Sequence, residues 1–147
     1  MPIKAKHFQL HELVCDHIYE KYGEQAWQFI DPRLIITIDW IREYIGRPIY
    51  INNYEWGGIQ TQSGVRCNLC NLNKSKTDKG EVYMSGHNEG QAGDFSVKGM
   101  TAEQVRNWLV RNQEDLPYPI RLEAGVDWVH LDCRDTGQKI YFFNPKA

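Results

Sequence analysis

The sequence predicts an α+β fold in which N-terminal helices pack on a small, mainly antiparallel sheet. Apolar residues recur at three- and four-residue spacing through the first third of the chain. Short runs of β-branched and aromatic residues, punctuated by Gly, Pro, Asn and Asp, fill the second half. Helices segregated from strands in this way favour α+β over an alternating, parallel-sheet architecture. A length of 147 residues suits one domain with one core. A helical part over 1–47 is followed by a motif-bearing core over 48–147.

From Gln9 to Tyr22, Leu10, Leu13, Val14, Ile18 and Tyr22 form one helical stripe, and Gly23 stops it. A second helix is expected from Asp31 to Tyr44, with Asp31 as N-cap and Pro32 in its first turn. Leu34, Ile35, Ile38, Ile41 and Tyr44 or Ile45 are its buried face, and Gly46 follows as its stop. Residues 48–53 (PIYINN) read as a strand, and 54–80 as a long loop without periodicity. Ala92–Lys98 is expected to be a strand. Thr101 then caps a third helix, with Gln104 completing a capping box and Val105, Trp108 and Leu109 facing inward. Pro117 and Pro119 end that region. Ile120–Leu122, Trp128–Cys133 and Lys139–Phe143 read as strands, the last two separated by the turn DTGQ.

Composition narrows the function classes. The chain is 41% hydrophobic and 24% charged with a formal net charge of −2, the profile of a globular protein rather than a disordered one. Without a basic run, affinity for nucleic-acid phosphates is not expected. No apolar stretch approaches the roughly 20 residues that span a bilayer, so membrane insertion is not expected either. No secretory signal pattern is visible at the N-terminus, and four cysteines are too few for a disulfide scaffold. The expectation is a monomer made in a cytoplasm with its thiols reduced.

The stretch SGHNEGQAGD (85–94) carries the first chemistry. His87 and Asp94 would share a face of a helix, but Gly86, Gly90 and Gly93 disfavour one. As a loop feeding a strand, the segment lets His87 fold back beside Asp94. Imidazole nitrogen and carboxylate oxygen both ligate zinc at about 2.0–2.2 Å, and His130 in GVDWVHLDCR offers a third ligand. Two histidines, one carboxylate and a free fourth position make the composition of a catalytic zinc site. The plain alternative is a surface His, a turn-capping Asp and a satisfied strand His.

SGHNEGQAGD resembles the S-x-H-x-x-G-x-A-x-D motif of the zinc D-alanyl-D-alanine peptidases. That family includes phage L-alanyl-D-glutamate endopeptidase endolysins and shares its fold with the Hedgehog signalling domain. Ser85, His87, Gly90, Ala92 and Asp94 match every fixed position, and D-W-V-H at Asp127, Trp128 and His130 resembles the second signature. The resemblance covers roughly residues 48–143. It implies His87, Asp94 and His130 as zinc ligands and Asp127 as general base, acting on peptidoglycan stem peptides at the bacterial cell wall. Because residues 127 and 130 of a regular strand point to opposite faces, that role requires Asp127 to sit in the turn after Gly125. QSGVRC resembles the family's S-G-Y-R, with Val65 replacing tyrosine, which implies that Arg66 binds substrate or stabilises an oxyanion. Ser85 and Asp132 are candidates for orienting the ligand imidazoles, and Glu123 is a competitor for the base. The alternative function is a zinc-containing peptidoglycan-binding or virion structural module of the same fold without catalysis.

Cys67 and Cys70 form a C-x-x-C pair. It could be half of a second, structural zinc site, a redox pair, or two unrelated thiols. His11 and Cys15, four apart on the expected first helix, could supply the other half, and Cys133 is a further candidate. A thioredoxin-like role is disfavoured, since no βαβ pattern surrounds the pair.

Overall fold

The computed structural model describes residues 2–145. It is a mixed α+β structure built around a five-stranded sheet. The first expected helix is two short ones, α1 (Leu10–Leu13) and α2 (Asp16–Tyr22), with a 3-10 segment over Gly23–Phe29 after them. Val14 and Cys15 between them are extended, and Val14 bridges Val65. The Leu13 carbonyl accepts from the Val65 amide at 2.8 Å, and the Val65 carbonyl accepts from the Cys15 amide at 2.9 Å. A partner remote in sequence therefore overrides local periodicity.

Helix α3 (Pro32–Ile45) starts as its sequence dictates. The Asp31 carboxylate accepts from the Arg33 amide at 2.9 Å, Pro32 occupies the first turn, and Gly46 ends the helix at φ +70°. Its Leu34, Ile35, Ile38 and Ile41 are buried, and Ile45 rather than the exposed Tyr44 continues that face against the core. Strand β1 is only Ile49–Tyr50, shorter than expected. Asn52 leaves the ladder: its side chain donates to the Val14 carbonyl and accepts from the Ser63 amide. The 54–80 region is not all loop. It contains a 3-10 turn (Tyr54–Trp56) and helix α4 (Asn71–Asp78), whose sequence NLNKSKTD has too few apolar residues to show a period.

Strand β2 (Ala92–Val97) precedes α5 (Ala102–Arg111), where Thr101 and Gln104 form the expected capping box. Strands β3 (Ile120–Glu123), β4 (Val129–Asp132) and β5 (Ile140–Phe143) complete a sheet of order β1-β2-β4-β3-β5. β5 does not pair with β4. It lies parallel to β3, and the other three pairings are antiparallel. Alternation separates two faces. Phe95, Val97, Ile120, Leu122, Val129 and Leu131 join the buried core with the helices. Asp94, Arg121, Glu123, His130 and Asp132 fall at the intervening positions, on the opposite face. Among the described residues, no helix is long and apolar enough to cross a membrane.

Candidate metal centres

The polar face brings the first motif together. β2 and β4 pair Asp94 directly with His130, so both side chains rise from adjacent strands on one face. His87 reaches them from the turn before β2, which Gly90 makes possible. Gly90 has φ +72°, and a Cβ there would meet the Phe29 carbonyl. The segment 63–66 straps the assembly from outside. The Asp94 amide donates to the Ser63 carbonyl at 2.6 Å, and the Arg66 amide donates to the His87 carbonyl at 3.1 Å.

The ligand atoms converge. His87 Nε2 lies 3.3 Å and His130 Nδ1 2.9 Å from Asp94 Oδ1, and all three groups fall within 4.8 Å of one another. Tetrahedral ligands bonded at about 2.0–2.1 Å would stand about 3.3 Å apart. The outer nitrogens decide the tautomers. His87 Nδ1 faces the Gly64 carbonyl at 2.8 Å, and His130 Nε2 faces Asp132 Oδ2 at 2.9 Å. Both partners are pure acceptors, so each outer nitrogen carries a proton. In the neutral imidazoles both inner lone pairs then point at a carboxylate oxygen. Acceptors facing an acceptor are repulsive unless each ring takes a second proton or a cation lies among them. The donor set fits a zinc ion, with backbone carbonyl and carboxylate partners of the kind that orient metal-bound histidines.

Charges around the three groups match. Burial pushes His130 down, but the Asp132 and Asp94 carboxylates outweigh it and hold the imidazole at about 9 in the absence of metal. Burial likewise raises Asp94, yet hydrogen bonding to His130 and His87 holds it far below the usual carboxylate range. Asp132 is fully buried and clamped by Arg121, whose Nε and terminal nitrogen each donate at 2.8 Å. Arg66 is also buried. Its guanidinium lies 3.6 Å from Asp94 Oδ2, the oxygen that the histidines leave free, and its Nε donates to the Gln62 carbonyl. The Ser85 hydroxyl accepts from the Asn88 amide rather than bonding to an imidazole.

Asp127 is exposed in the turn between Gly125 and β4, which begins at Val129. This is the turn position expected for it from the sequence. Sequence reasoning missed the residue that shapes the turn. Arg106 on α5 is buried and donates to the carbonyls on both sides of Asp127, Val126 at 2.9 Å and Trp128 at 3.1 Å. Glu123 ends β3. The register pairing Leu122 with Leu131 would set it across from His130 one step further on. A groove of about 540 Å³ runs alongside Asp94, with Tyr50, Gln60, Ser63 and Trp128 among its lining residues. Tyr50 and Trp128 are 47% and 44% exposed, which leaves two aromatic faces free for a ligand.

A second cluster joins Cys15, His17, Cys67 and Cys70, all within 4.8 Å of one another, and could hold a metal ion. His17, not His11, completes it. With the helix broken at Val14 and Cys15, His11 turns into an aromatic group with Trp56 (5.0 Å between ring centroids), Tyr19 and Tyr54. Cys133 belongs to neither cluster. It is buried with its thiol on the Gln91 carbonyl, and burial pushes it up to about 12. Hydrogen bonding from the Cys70 thiol lowers Cys15 to about 5.

Neither a family model, nor a curated protein, nor a solved structure matches this chain.

Proposed function

We propose that the protein is a zinc peptidase that cleaves peptidoglycan stem peptides, similar in fold and chemistry to the zinc D-alanyl-D-alanine peptidases and acting at the bacterial cell wall. The observation that carries this reading is the convergence of His87 Nε2, Asp94 Oδ1 and His130 Nδ1, with both outer nitrogens already committed to acceptors. The two matched motifs and the groove beside Asp94 add support.

The ion bound there would supply a polarised carbonyl and a water whose pKa falls towards ~7. The chain supplies the rest. Asp127 takes a proton from the attacking water and returns it to the leaving amine, a transfer worth about 10²–10⁴-fold in rate. Its exposure leaves it within reach of solvent, and Arg106 holds the turn that presents it. Arg66 anchors the free oxygen of Asp94, and its guanidinium offers a fixed positive charge for an oxyanion or a peptide carboxylate. Tyr50 and Trp128 form the walls against which a stem peptide lies.

Synthetic stem peptides with alternating L and D residues, incubated with zinc-loaded protein and resolved by mass spectrometry, test the proposal. Cleavage at one bond, abolished in Asp127→Ala with zinc content unchanged, is expected. Binding without cleavage by the zinc-loaded protein would favour the non-catalytic module.

A further inference from the structure

We infer that Cys15, His17, Cys67 and Cys70 form a closed, structural zinc site that staples the strap holding the first centre. This does not rest on the peptidase reading, since it concerns other residues and a metal with no catalytic duty.

The geometry is that of an assembled Cys3His shell. Cys67 Sγ lies 3.9 Å from Cys70 Sγ and 3.4 Å from His17 Nδ1, and Cys70 Sγ lies 3.7 Å from the same nitrogen. Bonds of about 2.3 Å to sulfur and 2.05 Å to nitrogen in a tetrahedron require edges of about 3.8 Å between sulfurs and 3.5 Å between sulfur and nitrogen. The Leu69 amide also donates to Cys67 Sγ at 3.3 Å. A bond of that kind stabilises negative charge on sulfur and suits a thiolate. Four protein ligands leave no position for water or substrate, which marks a structural rather than catalytic ion.

Its position gives it a task. Cys15 caps α2 at the break between α1 and α2, and Cys70 caps α4. Between them, Val65 pairs with Leu13 and Cys15. On either side of Val65 stand Gly64, whose carbonyl fixes the tautomer of His87, and Arg66, which grips Asp94. A metal joining Cys15 and His17 to Cys67 and Cys70 therefore locks the strap across the first centre. The helix break, unexplained by local propensity, is what turns Cys15 and His17 towards the pair.

Metal content and cobalt spectroscopy of the full chain test the inference without any substrate. The wild type, purified under reducing conditions, is expected to hold about two equivalents of zinc. His130→Ala should retain the thiolate-bound one, and Cys67→Ser should lose it. Cobalt loaded into His130→Ala should show thiolate-to-metal charge-transfer absorption, which an all-His/Asp site cannot give. His17→Cys should keep the metal and strengthen that absorption, which guards against a Cys67→Ser variant that fails to fold. A single equivalent lost in His130→Ala, cobalt bound without thiolate absorption, or a disulfide among Cys15, Cys67 and Cys70 in that preparation would each overturn the site.

Discussion

Asp132→Asn is the most informative single change at the first centre. The Asp132 carboxylate receives only donors: Arg121 Nε at 2.8 Å and the Arg134 amide at 3.2 Å on Oδ1, and a terminal nitrogen of Arg121 at 2.8 Å and His130 Nε2 at 2.9 Å on Oδ2. An amide keeps the shape but turns one oxygen into a donor, so in either orientation two donors lose their acceptor. The negative charge that aligns His130 is lost as well. Loss of such an outer partner typically weakens metal binding 10–100-fold, about 1.4–2.7 kcal/mol. Fold stability should fall too, because the mostly buried Arg121 loses its counter-charge. Breaking a buried pair costs about 3–5 kcal/mol, and the remaining fifth of Arg121's side-chain exposure reduces that figure. The assay is zinc competition against a chromophoric chelator, run on wild type and Asp132→Asn with the cysteine cluster intact in both, so that the difference reads the first centre. An unchanged zinc affinity would refute the argument that Asp132 sets the His130 tautomer.

Three further outcomes follow from the geometry. Gly90→Ala should destabilise the fold by about 1–3 kcal/mol, since it forces a side chain into φ > 0 against the Phe29 carbonyl, and it should also lower zinc occupancy through His87; thermal denaturation and metal analysis read both. Asp31→Ala should cost about 1 kcal/mol near neutral pH. The Arg33 guanidinium holds the Asp31 carboxyl below its ordinary value, so its contribution is full above about pH 4 and is lost as the pH falls through the lowered pKa; urea titrations of wild type and variant should therefore converge in acid. Asp127→Asn should slow hydrolysis about 10²–10⁴-fold with zinc content intact, while Glu123→Gln should leave the rate close to wild type. The reverse ranking in steady-state kinetics would move the base to β3.

The elements whose signals are local were legible. Helices α3 and α5 begin where Asp31 and the Thr101–Gln104 box place them, because caps act within one turn. The His87, Asp94 and His130 grouping was legible because two motifs named it and the β2–β4 register delivers it. What was not legible depends on partners distant in sequence. The break at Val14 needs Val65, and an unbroken helix would put His11 beside Cys15, so the fourth member of the cysteine cluster was misplaced by six residues. Helix α4 has Leu72 as its one apolar residue and is supported by Cys70 at its N-cap and the Lys74–Asp78 pair at 3.0 Å along its length, so no periodicity announces it. Of the contacts of Arg106, the i,i+3 pair with Glu103 is local, but its hold on the backbone carbonyls of Val126 and Trp128 has no sequence signature. The parallel placement of β5 on β3 reverses what the short DTGQ turn suggests, and strand pairing of that kind is a property of the assembled sheet.

The central claim is that zinc at His87, Asp94 and His130 turns this chain into a cell-wall peptidase. Its most direct test is the release of new amino groups from purified peptidoglycan, measured for the zinc-loaded protein beside His130→Ala. Amines that increase with time and fragments that differ by part of a stem peptide are expected, with neither seen for the variant. Intact peptidoglycan after incubation with fully zinc-loaded wild type, or equal release by the variant, would contradict it.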